Sequence, residues 1–267
     1  MPFPWLTRAL TAAVLVFAWS PPPAMAEPAA APQIAFNPAV GVTQKFRVTY
    51  RQYNTLDAPA PPVDSLAVAY TLAVTPTREK DGYRLRLLIS DVERPASDSM
   101  NMVVAAALML DGFPFDMLVD ARGFLKEVAD WPDVQRELVR RVDAFPPAWR
   151  GVARSVPDSH TAQQVAWHLA RAIDAMNFAR SYTGFATRYG ASTIKWHGDL
   201  LVDVTVEPPD GSGNSAIGWS LPSGAPRVGE GHGVISRDGF VAPLTMSTSR
   251  DGGRTQEVHE IKPIPVR

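Results

Sequence analysis

The chain has 267 residues, with 26 Lys and Arg against 27 Asp and Glu, a formal charge of −1 and no cysteine. Near-neutrality leaves no electrostatic footprint for nucleic acid and no polybasic run for anionic lipid. The absence of cysteine excludes disulfides, thiol catalysis and a lipid-modified N-terminal cysteine, so a core of apolar side chains must hold the fold alone.

The first 26 residues have the three parts of a cleavable secretory signal in order: a positive charge at Arg8, an apolar stretch from Ala9 to Trp19, and the small-residue exit Ala24-Met25-Ala26. The apolar stretch has eleven residues, too few for a membrane-spanning helix of roughly 20. The next longest run, Met102–Leu110, has nine, so no stable membrane insertion is expected. Exported domains of animals and plants lean on disulfides, and a cysteine-free exported chain therefore points to a bacterial periplasm. The working protein is expected to begin at Glu27. Residues 27–40, rich in proline and alanine, read as a disordered leader, and residues 41–267 as one β-rich domain.

Lys45 to Tyr53 alternates, with Phe46, Val48 and Tyr50 on one side and Lys45, Arg47, Thr49 and Arg51 on the other, as a half-buried strand does. Leu66, Val68, Tyr70, Leu72 and Val74 repeat the period. Met102–Leu110 suits either a buried strand or a short helix, and its three consecutive alanines tip the expectation to helix. Asp130-Trp-Pro-Asp133 opens a helix with Val134, Leu138 and Val142 on one stripe, which Pro146-Pro147 is expected to stop. A second helix is expected after Asp158-Ser159, with Val165, Leu169, Ala172, Met176 and Ala179 on one face. Strands resume at Thr193–Val206 and run in hairpins to the end.

Five Asp-Gly pairs, at 81–82, 111–112, 210–211, 238–239 and 251–252, each separate segments read as strands, and Asp-Gly suits hairpin turns. The tetrapeptide Ser-Arg-Asp-Gly occurs twice, at 236–239 and 249–252. Two successive turns of a meander explain it better than a repeated binding motif. The pattern as a whole predicts an α+β fold: a curved antiparallel sheet of hairpins, with two or three helices from the middle of the chain packed on one face.

Chemistry is harder to find. No two of the five histidines have the i, i+4 spacing of a helical metal pair. His160 and His168 stand about 12 Å apart along a helix, so no metal and no cofactor is expected. His197 and Asp199 could form an oriented base on a strand, although a polar turn position explains them more simply. Ser192-Thr-Ile-Lys195 matches S-x-x-K, but in a strand and without the partner motifs of penicillin-recognising enzymes. Gly229-Glu-Gly-His-Gly233 precedes strand pattern, not a helix, and reads as a bulge or turn rather than a phosphate loop. Trp131, Trp149 and Trp167, with Met100, Met102, Met109, Met117 and Met176, could line an apolar pocket, as they could fill an ordinary core.

The signal-like start, the early meander Lys45–Val92, the hairpin Phe115–Val128, the helical middle and the closing hairpins follow one another as in a known layout. In this the chain resembles the periplasmic lipoprotein carriers and related lipid-binding half-barrels. That resemblance implies a curved sheet cradling helices, with an acyl chain held between them, and it carries over no site residue. The expected function is a non-enzymatic periplasmic protein binding an apolar or amphipathic, lipid-like ligand between sheet and helices, with Val165, Leu169, Ile173 and Met176 as lining residues. An envelope assembly or protein-interaction factor with an envelope protein as partner is the alternative, and a hydrolase using His197 and Asp199 the third reading.

Overall fold

A computed structural model describes residues 36–54, 64–93, 100–157, 189–196, 200–221, 228–250 and 255–265. In chain order they form β1 (Gln44–Asn54), β2 (Asp64–Glu79), β3 (Gly82–Glu93), α1 (Met102–Leu110), β4 (Phe115–Asp120), β5 (Leu125–Val128), α2 (Trp131–Val142), α3 (Pro147–Ser155), β6 (Gly190–Trp196), β7 (Leu200–Val206), β8 (Ser215–Ser220), β9 (Val228–Ile235), β10 (Val241–Arg250) and β11 (Thr255–Pro263). The strands make one curved, open antiparallel sheet in the order β5-β4-β3-β2-β1-β11-β10-β9-β8-β7-β6. Two meanders thus meet where the first strand pairs with the last, Phe46 opposite Pro263 through Asn54 opposite Thr255. The expected α+β class holds.

Strict alternation gives the sheet an inner and an outer face. Phe46, Val48 and Tyr50 of β1, Leu66 to Val74 at alternate positions of β2, and Tyr83, Leu85, Leu87 and Ile89 of β3 are all buried on the inner face. Val202, Val204 and Val206 of β7 and Ile217 and Trp219 of β8 continue it. The helix α1 packs on β2 and β3 and against α2 and α3. Seven of its nine residues are buried, the condition of a helix that is apolar all round. The alanines that favour helix over strand also let it lie close to its neighbours.

Within residues 36–40, Phe36 is buried, edge-on to Tyr83 and Phe240 with ring centroids 5.2 and 5.4 Å away. Burying a phenyl ring stabilises by about 1.5–3 kcal/mol, enough to tie down a short segment. Several expectations are corrected. Asp111-Gly112 is no hairpin turn. It ends α1, Gly112 taking φ 71° and donating its N–H to Ile89 O at 2.8 Å. Asp130 precedes α2 in the left-handed region, φ 52°, and makes no side-chain cap. Pro146-Pro147 does stop α2, but Pro147 at once opens α3, because a proline lacking N–H fits the first helical position. The helix expected after Ser159 lies outside the described residues. Gly229–Gly233 is neither bulge nor turn but the body of β9. The first Ser-Arg-Asp-Gly links β9 to β10, where Gly239 adopts φ 89°. Residues 251–252 of the second lie outside the described residues.

One side chain ties the helices together. Arg141 of α2 donates to Met109 O and Asp111 O, at 2.7 and 2.9 Å, satisfying carbonyls that the end of α1 leaves free. It also donates to Glu137 at 2.6 Å. Hydrogen bonds from Arg140 and then Arg141 hold the Glu137 carboxyl down at about 2, well below its ordinary 4.5. A depressed acid stabilises the fold above its ordinary pKa and ceases to do so as pH falls through the depressed one.

Two outcomes follow. Arg141→Ala lowers stability in urea unfolding by about 0.5–1.5 kcal/mol, the net contribution of hydrogen bonds whose acceptors water can reach. For Glu137→Gln, the gap in unfolding midpoint from the parent is full above pH 4.5 and closes as pH falls towards about 2.

Candidate functional site

The central pairing of β1 with β11 sets the polarity of the inner face. Ile261 opposite Val48 fixes the parity of β11, so His259 and Glu257 point inward too, beside Tyr50 and Gln52. His259 is 2% exposed and Glu257 6%, a buried imidazole and a buried carboxyl in a mostly apolar wall. The Tyr50 and His259 rings lie 4.8 Å apart between centroids at 47°. The Tyr50 hydroxyl stands 3.1 Å from Gln52 Oε1 and 3.2 Å from Glu257 Oε1. Its single proton serves one acceptor at a time.

Asn101 joins this cluster to α1. Its Oδ1 accepts from Val103 N and Val104 N, both at 3.0 Å, capping the helix. Its Nδ2 donates to Tyr50 Oη at 2.9 Å and Gln52 Oε1 at 3.0 Å. The same amide thus starts the helix and fixes it to the sheet.

From Tyr50 a single row of cross-strand partners runs toward the β6 edge: His259, Met246, Gly231, Trp219, Val204 and Ser192. Gly231 is obligatory there. A Cβ on it would lie 2.0 Å from Trp219 Cζ2, so the indole lies directly over the backbone of β9. The row is polar at both ends, since Ser192 Oγ is buried with no hydrogen-bond partner among the described residues. Met246, Gly231, Trp219 and Val204 between them are apolar. Chemically, the arrangement offers hydrogen-bonding groups set into a hydrocarbon wall.

Comparison with known proteins adds little to this geometry. No protein-family model and no curated protein matches the sequence. Among solved structures the chain is similar to one described as lipid-protein interactions in lipovitellin, at 8% identity and a TM-score of 0.48. The match covers 87% of this chain and 26% of that one, so the chain spans about a quarter of that protein's length.

The expected lining residues Val165, Leu169, Ile173 and Met176, and the pair His197 and Asp199, lie outside the described residues. Met109 and Met117 are fully buried core, and Trp131 and Trp149 pack half-buried against it. Among the described residues no group of three His, Cys, Asp or Glu side chains is placed to hold a metal ion. No helix among them is long and apolar enough to cross a membrane. Tyr50, Gln52, Asn101, Glu257 and His259 were not singled out from sequence as a site. The available signal was Ile261, which fixes the inward parity of His259 and Glu257 two and four residues earlier.

The Trp219–Gly231 contact has a direct test. Gly231→Ala destabilises by about 1–3 kcal/mol through overpacking, and a second change, Trp219→Leu, recovers part of that loss. Additive losses in the double-mutant cycle would show that the indole does not lie on Gly231.

Proposed function

We infer that the chain is an exported, non-enzymatic protein that holds an amphipathic, lipid-like ligand against the inner face of its sheet. The apolar part lies along Met246, Trp219 and Val204, and the polar group meets Tyr50, Glu257 and His259. The observation that carries this reading is the buried polar cluster set into a continuous apolar wall, which matches the two-part chemistry of such a ligand. The signal-like residues 1–26 support export, with the periplasm as compartment. Burial of hydrocarbon is the main source of affinity, at about 0.8 kcal/mol per methylene, and the cluster orients the ligand.

Native mass spectrometry of the protein purified from its own envelope is expected to show co-purified lipid. A fluorescent fatty acid is expected to bind the delipidated protein and to bind Trp219→Ala about tenfold more weakly, equivalent to about 1.4 kcal/mol. Protein that carries no lipid and ignores the fluorescent fatty acid would overturn the proposal.

A second reading rests on the open sheet. β6 spans seven residues and pairs only with β7 among the described residues, and such an edge can accept a strand from an envelope partner. Cross-linking from β6 to a co-purifying envelope protein distinguishes this from ligand binding.

A further inference from the structure

Six glycines lie in described strands, and five have a visible reason. Gly190 takes φ 95°, and a Cβ on Gly82, Gly229, Gly231 or Gly233 would meet neighbouring atoms at 3.1 Å or less. Gly218 has neither reason. Its φ is ordinary, and a Cβ there would meet nothing nearer than Gly231 O at 3.8 Å. A strand-interior glycine sacrifices conformational entropy and a packing side chain, and one without a steric cause marks a place where something approaches the backbone.

What it leaves is a hollow of about 300 Å³ on the outer face of β7, β8 and β9. Thr205 and His232 flank Gly218 as its cross-strand partners, and the neighbouring row holds Asp203, Ser220 and Glu230. The Thr193 hydroxyl donates to Asp203 Oδ1 at 2.6 Å and steadies that carboxylate. Between β6 and β10 these two rows contain no Lys or Arg: Thr193 and Ser247 close one, Ala191 and Thr245 the other. Glu260 stands opposite Thr245, with Lys262 Nζ 3.5 Å from its carboxylate.

We propose that this hollow binds an aliphatic polyamine. Among the described residues no group of three His, Cys, Asp or Glu side chains is placed to hold a metal ion, and Asp203 and Glu230 stand two strands apart, roughly 10 Å between backbones. That spacing suits ammonium groups separated along a flexible chain. The methylenes between them lie on the bare backbone at Gly218, and the Thr205 and Ser220 hydroxyls accept N–H donors. The hollow is on the face opposite the proposed lipid row, so the two sites succeed or fail separately.

Calorimetric titration of the full chain with spermidine at low ionic strength tests it. One saturable site is expected, weakened at least tenfold by Gly218→Val, which fills the hollow at a position where the strand accepts a side chain, and by the pair Asp203→Asn with Glu230→Gln. Fatty-acid binding by these variants is expected to be unchanged. Should Gly218→Val fail to fold, the carboxylate pair decides alone. Absence of saturable binding, unchanged affinity in the folded variants, or displacement of spermidine by equimolar magnesium would overturn the proposal, the last because it shows attraction of any cation.

Discussion

The pairing of β1 with β11 is the constraint on which the molecule turns. Each meander alone would present a long unpaired edge, a template for association with other chains. Joined through nine residue pairs, they become one sheet whose first and last strands lie at its centre. That join alone puts Tyr50 and Gln52 next to His259 and Glu257, more than 200 positions away in sequence. The helices α2 and α3, by contrast, follow β5 and precede β6 in the chain, the strands at the two outer edges of the sheet.

The cluster at the join is a structural commitment as well as a candidate site. A buried carboxylate is costly unless it is hydrogen-bonded, and Tyr50 supplies one such bond to Glu257. Asn101 spends its oxygen on the first turn of α1 and its amide on the sheet. Helix position and inner-face polarity are therefore set by the same few atoms. Arg141 plays the matching part at the other end of α1, so a helix with no polar side chain of its own is held at both ends by its neighbours.

Much of the fold was legible because period-two alternation survives in β1 to β3 and helical spacing in α2. What escaped did so for identifiable reasons. Phe36 follows a proline- and alanine-rich stretch whose composition hid a single anchoring ring. Pro146-Pro147 signals both a stop and a start, and only the stop was read, so α3 was missed. Asp-Gly at 111–112 uses the freedom of glycine to end a helix instead of turning a hairpin. The Gly229–Gly233 stretch of β9 has no apolar side chain to show its period, and Trp219 from the next strand occupies the space over Gly231. The site was least legible of all, since its residues come from β1, β11 and the entry to α1, and only tertiary pairing brings them together.

The position of β1 has a consequence for how the chain is made. Synthesis runs from the N-terminus, so β1 to β5 can assemble early while the free side of β1 waits for β11, whose residues follow more than 200 positions later. Contacts of such long sequence separation form slowly. During that interval the unpaired edge of β1 is an exposed template for a second nascent copy. β11 thus acts as a latch, and truncation within it would leave an adhesive half-sheet rather than a merely shorter protein.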